Sequence, residues 1–273
     1  MRMFMNAPDF SRFIRQWSLT KDGTPFRSTT SWLLPVQYQG IPAMLKVTDN
    51  PMEQAGARLM MQWAGEGAAR VLAHYDDAVL LERAGGSRSL ARMSAQGQDD
   101  QATQLICDVA IRLHAHRIGK ALSLISLVHW FRPLLRVAGQ RGGLVGKGAE
   151  LACELLASEQ ERVALHGDLH HDNVLDFGRA GWRAIDPKGL YGDRGYDYAL
   201  LFFAPLKNQG LAAKLFERRL EIVNAASGID RIRLCQLILA CAGLSAVLEQ
   251  RHGVSADAME VCALAVSTLE GGQ

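Results

Sequence analysis

A polar loop near the middle of the chain gathers the side chains best suited to chemistry. Residues 166–173 read HGDLHHDN, with three histidines, two aspartates and one asparagine, and Asp186 follows 13 residues after Asn173. Apolar runs at 163–165 and 174–175 flank the segment, which predicts a loop between two short strands. Loops held by strands commonly carry catalytic residues.

The spacing within this loop indicates phosphoryl transfer from ATP. That reaction needs a carboxylate to orient the attacking hydroxyl, and an asparagine and an aspartate to hold Mg²⁺ against the phosphates. A kinase catalytic loop has an aspartate, an asparagine five residues later and a metal-binding aspartate in the next hairpin. We therefore predict Asp168 as the catalytic carboxylate, and Asn173 and Asp186 as the metal ligands.

The elements that would position this loop begin with strands. Short apolar segments between residues 13 and 47 are separated by turns at Asp22-Gly23 and Gln39-Gly40, which predicts three antiparallel strands. Asn50 would cap a helix, and residues 68–74 and 78–82 add two more strands. We expect a five-stranded antiparallel sheet with one helix in residues 1–84, ending at a glycine-containing hinge over 84–87.

The rest of the chain, residues 85–273, has apolar residues at helical spacing. Together the two parts predict an α+β fold with a strand-rich lobe followed by a mostly helical lobe. The predicted helices cover 99 to about 116, 121–140 with a start or kink at Pro133, 147–158, 196–205, 209–227, 230–250 and 255–270.

The composition narrows the class of protein. The 273 residues carry a formal net charge of +2 without basic clusters, which excludes a phosphate-tracking surface for nucleic acid. The five cysteines lack CxxC spacing, so we expect reduced thiols used as small core residues. No targeting signal is evident, and no run reaches the roughly 18 to 20 apolar residues of a membrane span. We expect a cytoplasmic protein without an obligate protein partner.

The loop resembles that of the aminoglycoside phosphotransferase family more closely than that of the protein kinases. Protein kinases would have arginine at the position of Gly167 and phenylalanine at that of Pro187. The resemblance covers nearly the whole chain from about residue 17, and its details are similar to the streptomycin 6-phosphotransferase branch. The segments that carry it are 31–36, 42–47, 98–100, 166–177, 182–187 and 242–246.

This resemblance implies a protein-kinase-like, two-lobed fold and an ATP- and Mg²⁺-dependent O-phosphorylation. The acceptor would be a cationic aminocyclitol, streptomycin at the 6-hydroxyl of streptidine, so that the enzyme gives antibiotic resistance. Lys46 would bind the α- and β-phosphates and Glu53 would hold Lys46 by an ion pair. Glu53 also fits the reciprocal half of a capping box begun by Asn50.

Other residues receive roles from the same resemblance. His166 and Asp197 would support the catalytic loop, although Asp197 also fits a plain helix N-cap. The nucleotide would contact Ser28, Thr29 and Thr30, in a turn that lacks the glycines of the usual phosphate clamp, and backbone atoms of Glu82 and Ala84.

The acceptor pocket is the least defined part of the site. Streptomycin carries guanidinium groups, which pair well with carboxylates. Asp193, Glu154 and Glu249 are the candidate acceptor contacts, and each also fits an ordinary surface acid.

Three alternatives remain open from the sequence. A kinase of this fold could phosphorylate another small hydroxylated metabolite, and a relative without turnover could bind nucleotide or drug alone. A metal-dependent hydrolase is the rival from another enzyme class. Its metal ligands would be His166, Asp168, His170 and His171.

Overall fold

The computed structural model describes residues 8–117, 122–204, 211–248 and 255–271. Its first part combines a twisted antiparallel sheet with two helices. In chain order, these elements are α1 (Ser11–Gln16), β1 (Thr20–Lys21), β2 (Phe26–Arg27), β3 (Trp32–Tyr38), β4 (Ile41–Val47), α2 (Pro51–Trp63), β5 (Val71–Tyr75) and β6 (Ala78–Glu82).

The sheet has the order β1-β3-β4-β6-β5, and β2 also pairs with β3. Since β1 and β2 lie along the same side of β3, they form one interrupted edge strand. The hairpin predicted at Asp22-Gly23 is therefore wrong. The Asp22 N–H donates to the Pro35 carbonyl at 2.9 Å, so the chain stays alongside β3 instead of turning back. With the interrupted strand counted once, the sheet has the five antiparallel strands that we expected.

The other local predictions in this part agree with the structure. Gln39 and Gly40 have φ angles of 50° and 77°, as a two-residue hairpin turn between β3 and β4 requires. Asn50 caps α2 by accepting the Met52 N–H at 2.9 Å. Helix α1 was not predicted, and it buries Phe13 against the outer face of the sheet.

The second part is mostly helical, as expected. It contains α3 (Leu90–Ala95), α4 (Asp99–His114), β7 (Ile125–Ser126), α5 (Leu127–Trp130), α6 (Arg132–Leu135), α7 (Gly143–Ala157), β8 (Arg162–Leu165), β9 (Val174–Asp176), β10 (Trp182–Ala184), β11 (Leu190–Asp193), α8 (Gly195–Leu200), α9 (Leu211–Ser227), α10 (Arg231–Leu248) and α11 (Ala256–Gly271).

In the described residues, the helical stretch predicted over 121–140 begins with a strand and is divided into short helices, one of which starts at Pro133 as predicted. Strand β7 pairs with β11, and Ser126 then caps the one-turn helix α5 by accepting the His129 N–H at 3.2 Å. Pro133 lies at the start of the next short helix, α6, where its missing N–H costs nothing. A new cap and a proline thus divide one apolar stretch into separate turns.

Helix α10 forms the centre of the helical part, packed mainly against α7. It is long and apolar enough to cross a membrane, contrary to the expectation from run length, and 61% of it is buried. Burial of this kind is usual for the core helix of a globular protein. The cysteines are unpaired, and four of the five are buried in this core, while Cys153 is exposed.

The polar loop lies where the two parts meet. It connects β8 to β9, and Asp186 follows β10, which pairs with β9 in a hairpin. The connection between the two parts docks on the same hairpin, because the Gly86 N–H donates to the Asp176 carbonyl at 2.9 Å. Arg88 also pairs with the Asp176 carboxylate at 2.8 Å. The strands that hold the loop are thus fixed to the segment that connects the two parts.

Candidate active site

A buried carboxylate holds the start of the loop. Asp197 is 0% exposed and accepts the N–H groups of His166 at 2.9 Å and Gly167 at 2.7 Å. Burial raises the pKa of Asp197, but hydrogen bonds from His114 and Gly167 outweigh it and leave the pKa below its usual value. Asp197 is the third residue of α8 and Arg194 occupies the cap position, so Asp197 is not a plain N-cap.

His166 connects the loop to the following hairpin. Its Nε2 donates to the Ile185 carbonyl at 2.8 Å, while Nδ1 accepts the Asp168 N–H at 3.2 Å. This pattern assigns the single ring proton to Nε2. Burial lowers the pKa of His166, which favours the neutral ring. Because both nitrogens are committed, His166 fixes the backbone beside Asp168 and Asp186 and has no nitrogen free for a ligand.

The three residues singled out by spacing lie together. Asn173 Nδ2 donates to the Asp168 carbonyl at 2.7 Å, and the Asn173 carbonyl accepts the Ile185 N–H at 2.9 Å. Asn173 and Asp186 therefore sit on facing chains at the end of one hairpin. Asp186 has a φ of 59°, a left-handed conformation that costs non-glycine residues free energy and is concentrated at functional sites.

Lys46 joins this group from the sheet. Its ammonium forms a 2.7 Å ion pair with Asp186 and a second ion pair with Glu53. Lys46 is only 5% exposed. Burial lowers the pKa of Lys46, but the charges of Asp186 and Glu53 outweigh it, so the pKa lies above its usual value. The ammonium is therefore charged and faces the carboxylate that follows the catalytic loop.

Glu53 serves this ion pair and not a capping box. Its carboxylate also accepts the Thr30 hydroxyl at 3.0 Å. The Asn50 N–H, which a capping box would engage, donates instead to Thr48 Oγ1 at 3.1 Å. Of the two roles that the sequence left open for Glu53, the contacts therefore support the ion pair with Lys46 and not the capping box.

Oxygen atoms remain available for a cation beside Asp168. The amide nitrogen of Asn173 is committed, which leaves its Oδ1 free, and Lys46 engages only one of the two Asp186 carboxylate oxygens. Hard oxygen donors of this kind fit Mg²⁺, which usually takes one or two protein ligands and completes its shell with phosphate and water. The donor set therefore fits a magnesium nucleotide.

The residues do not fit the zinc site of a hydrolase. Within the described ranges, no group of three or more histidine, cysteine, aspartate or glutamate side chains could hold a metal ion. His171 is buried beside Asp99 and Arg219, away from the other proposed ligands. Burial and the charge of Arg219 lower its pKa to about 3.

Sequence reasoning missed one basic residue of the site. The Lys188 ammonium lies 3.2 Å from Asp168 Oδ2 and 3.7 Å from Glu53 Oε1. A signal was present, because Lys188 follows Asp186 by two residues in the predicted hairpin region.

In the turn between β2 and β3, two of the three hydroxyl groups are bonded within the protein. The hydroxyl of Thr30 is committed to Glu53, and that of Ser28 donates to the Ser31 carbonyl at 3.2 Å. Thr29 is exposed. Of the three predicted hydroxyl contacts, Thr29 alone has no protein hydrogen-bond partner in the described part of the chain.

The predicted adenine connector is partly occupied by the protein itself. The Glu82 N–H donates to the Arg70 carbonyl at 2.9 Å, and the Glu82 carboxylate accepts the Arg70 N–H at 2.8 Å and pairs with Arg183. The N–H of Glu82 is therefore not available to a base. The Glu82 carbonyl and the backbone of Ala84 are the atoms that remain for the predicted contact.

Asp193 has an internal partner instead of an acceptor. It is 4% exposed, accepts the N–H groups of Gly195 at 2.8 Å and Gln160 at 3.0 Å, and pairs with Arg233. Across β8 and β11 it faces Arg162, at the end of β8 remote from the loop. Three residues of strand place it about 10 Å from the loop end of β8. Asp193 thus stabilises the fold and does not line the site.

The other two acceptor candidates gain no support. Glu154 is exposed near the end of α7, where the carbonyl of the neighbouring Ser158 accepts a hydrogen bond from Arg233 at 2.9 Å. No contact within the described residues ties it to Asp168. Glu249 lies outside the described residues.

The sequence matches those of known kinases over most of its length. A sequence model of the family described as aminoglycoside/hydroxyurea antibiotic resistance kinase matches residues 16–253. The chain is 47% identical over 238 residues to the streptomycin 3''-kinase of Klebsiella pneumoniae, which covers 85% of this chain and 89% of that protein. It is 31% identical over 246 residues to the streptomycin 6-kinase of Streptomyces griseus, with coverage of 84% and 78%.

Solved structures show the same fold. A thermostable mutant of aminoglycoside phosphotransferase APH(4)-Ia, in a ternary complex with ADP and hygromycin B, matches with a TM-score of 0.64 at 15% identity. The match covers 97% of this chain and 98% of that chain. The expected protein-kinase-like α+β fold, with a sheet-containing lobe and a helical lobe, is confirmed.

Proposed function

Because the chain belongs to the aminoglycoside/hydroxyurea antibiotic resistance kinase family, we propose that it transfers the γ-phosphoryl group of ATP to a hydroxyl group of streptomycin. One observation carries the proposal: Lys46 of the sheet lobe contacts Asp186, which lies beside Asn173 and Asp168 of the catalytic loop. The arrangement supplies the groups that position a nucleotide and orient a hydroxyl.

In this proposal ATP binds between the lobes. Lys46 contacts the α- and β-phosphates and Glu53 keeps its ammonium in place. Asn173 and Asp186 hold Mg²⁺, which when bound neutralises charge on the phosphate oxygens. These residues bring the phosphate chain to a fixed position without forming a covalent intermediate.

Asp168 acts on the acceptor. Its carboxylate accepts a hydrogen bond from the acceptor hydroxyl and points the oxygen at the γ-phosphorus. The new oxygen–phosphorus bond forms as the bond to the β-phosphate oxygen breaks, ADP leaves, and the hydroxyl proton passes to Asp168. Positioning and charge neutralisation supply most of the rate.

The position of phosphorylation is the finer part of the proposal. The sequence resemblance pointed to the 6-hydroxyl of streptidine. The relative with 47% identity is named a streptomycin 3''-kinase, whereas the 6-kinase relatives are about 30% identical. We therefore infer the 3''-hydroxyl as the acceptor, with the 6-hydroxyl as the alternative.

The test is release of ADP in a coupled assay with ATP, MgCl₂ and streptomycin. Wild-type protein should release ADP much faster when streptomycin is present than in its absence, and Asp168→Ala should show no such acceleration. Correlation of phosphorus and proton resonances in the product then identifies the phosphorylated carbon. A rate of ADP release by the wild type that streptomycin does not increase would reject the substrate, and normal turnover by Asp168→Ala would reject the catalytic residue.

The same assay separates other acceptors. Hydroxyurea appears in the description of the family, so it is the second acceptor to test, followed by small amino alcohols. If the protein prefers one of these acceptors to streptomycin, the proposed phosphoryl transfer from ATP stands and the proposed substrate is replaced. Since the donor is ATP, the proposal also assigns the reaction to the cytoplasm, and it requires no protein partner.

A further inference from the structure

Lys188 lies between the two lobes and has no role in the reaction as proposed above. Its ammonium lies 3.2 Å from Asp168 in the catalytic loop and 3.7 Å from Glu53 in α2. The side chain is 22% exposed, so most of it is covered by the protein. One cation therefore bridges the proposed catalytic carboxylate and the partner of Lys46.

The backbone of Lys188 is fixed on both sides. Its N–H donates to the His166 carbonyl at 2.6 Å, which ties it to the catalytic loop. On the other side, the Pro187 carbonyl lies so close to Gly56 of α2 that a Cβ there would fall 1.9 Å from it. These contacts fix the backbone from which the Lys188 side chain extends. Because catalytic groups must be placed accurately, a small displacement of the ammonium would affect the reaction.

The catalytic loop, HGDLHHDN, contributes no lysine or arginine of its own. Lys46 is already paired with Glu53 and Asp186. Among the described residues, Lys188 is the lysine or arginine that makes an ion pair with Asp168. During transfer, negative charge spreads over the three equatorial oxygens of the phosphoryl group and requires a positive partner.

We propose that Lys188 donates hydrogen bonds to the γ-phosphoryl group while it passes from ATP to the acceptor oxygen. This inference rests on the proposed kinase function. The acceptor oxygen–phosphorus bond forms, the phosphorus–oxygen bond to ADP breaks, and ADP retains the electron pair. The acceptor proton passes to Asp168, and Lys188 remains protonated throughout. Because the charge on the transferring group is arranged differently in the transition state, Lys188 acts on kcat more than on ATP binding.

Substitution of Lys188 by methionine tests this role. Loss of one preorganised donor to a developing oxyanion costs about 10²- to 10³-fold in kcat, and we expect a loss of that order with little change in KM for ATP. Lys188→Arg should recover part of the rate because the charge is kept. Lys147→Met is the matched control, since Lys147 is exposed on α7 and pairs only with Glu150 at 3.9 Å.

A double variant distinguishes direct contact from support of Asp168. If Lys188 only held the carboxylate in place, Lys188→Met would cost nothing further in an Asp168→Asn background. Direct contact with phosphate predicts an additional loss in the residual rate. Lys188→Gln, with a similar length, provides a second variant if the methionine variant does not fold, as judged by circular dichroism.

Slow hydrolysis of ATP by water supplies a readout that does not depend on streptomycin. Lys188→Met should lower this rate as well, so the inference remains testable even if wild-type protein does not phosphorylate streptomycin. An unchanged kcat and hydrolysis rate in folded Lys188→Met would overturn the proposal. A rise in KM for ATP without a fall in kcat would also overturn it.

Discussion

The polar side chains around Asp168 divide their atoms between the protein and a ligand. Asn173 commits its amide nitrogen to the Asp168 carbonyl and keeps its oxygen free, and Asp186 gives one oxygen to Lys46 and keeps the other. His166, in contrast, uses both ring nitrogens within the protein. Three histidines in one short segment are typical of a metal site, but the atoms without protein partners belong to the asparagine and the aspartates.

Asn173→Ala should raise the Mg²⁺ concentration required for half-maximal activity and lower kcat. The substitution removes the free amide oxygen and the hydrogen bond to the Asp168 carbonyl. A titration of ADP release with MgCl₂ measures both effects, and the exposed neighbour Asp172→Ala serves as control. The metal assignment would be refuted by an unchanged Mg²⁺ dependence in folded Asn173→Ala.

Local spacing was enough to bring Asp168, Asn173 and Asp186 together, because a loop and a hairpin place residues of fixed separation side by side. The contact between Lys188 and Glu53 could not be obtained this way, since Glu53 lies 135 residues earlier in the chain. Asp193 failed as an acceptor contact for the same reason: its partner Arg233 lies 40 residues later. Pairing over such distances depends on the packing of elements.

At the scale of elements, the contact between α2 and residues 186–189 connects the lobes. Gly56 of α2 faces the Pro187 carbonyl, and Gly189 has a φ of 68° and packs against Ala55. Any side chain at position 56 would push the helix away from the segment that holds Asp186 and Lys188. The geometry of the ion pair between Lys46 and Glu53 therefore depends on this close approach.

Gly56→Ala should lower both stability and kcat. In an ordinary helix this change would stabilise by up to about 1 kcal/mol, because alanine has the higher helix propensity. Here we expect destabilisation of about 1 to 3 kcal/mol from the clash with Pro187. Urea unfolding measures the free energy, and Gln62→Ala on the exposed face of α2 is the control. A more stable Gly56→Ala with normal kcat would contradict the packing account.

The sequence predicted elements best where the local signal was complete. The Gln39-Gly40 turn and the Asn50 cap each contain the residue types that their geometry requires, and both are present. Asp22-Gly23 looked equally strong as a hairpin signal. Its outcome was decided by β3, since the Asp22 N–H bonds to the Pro35 carbonyl and keeps the chain along the sheet edge.

At the scale of the whole molecule, a buried charge network fixes the helices beneath the catalytic loop. Arg219 of α9 is 1% exposed, pairs with both oxygens of Asp99 at 2.7 and 2.9 Å, and donates to the carbonyls of Leu201 and Ala204. His171 of the loop packs beside this pair. The network joins α4, α9 and the loop, so protonation inside it affects the stability of the fold.

Lowering the pH should therefore destabilise the protein at pH values well above those at which carboxylates become protonated. The pKa of His171 is lowered by burial and Arg219 to about 3 in the folded state, against about 6.5 when unfolded. Between these values the unfolded chain binds the extra proton, so stability is complete above about pH 6.5 and falls as pH decreases. Burial also lowers the pKa of His166, which adds in the same direction.

Urea unfolding between about pH 7 and pH 5 tests this prediction. Each such histidine contributes a loss of up to about 1.4 kcal/mol per pH unit. His171→Leu should reduce the slope of stability against pH by about one proton equivalent, whereas substitution of the exposed His129 should not. An identical slope in wild type and His171→Leu would exclude the buried neutral ring as the cause.

Transfer of a labelled phosphoryl group in a single turnover tests the central claim most directly. Excess enzyme is mixed with ATP labelled at the γ-phosphate, MgCl₂ and streptomycin, and the reaction is quenched and separated. The account predicts rapid appearance of label in streptomycin with wild-type enzyme and almost none with folded Asp168→Asn. Label that remains in ATP with the wild type, or equal transfer by both proteins, would contradict it.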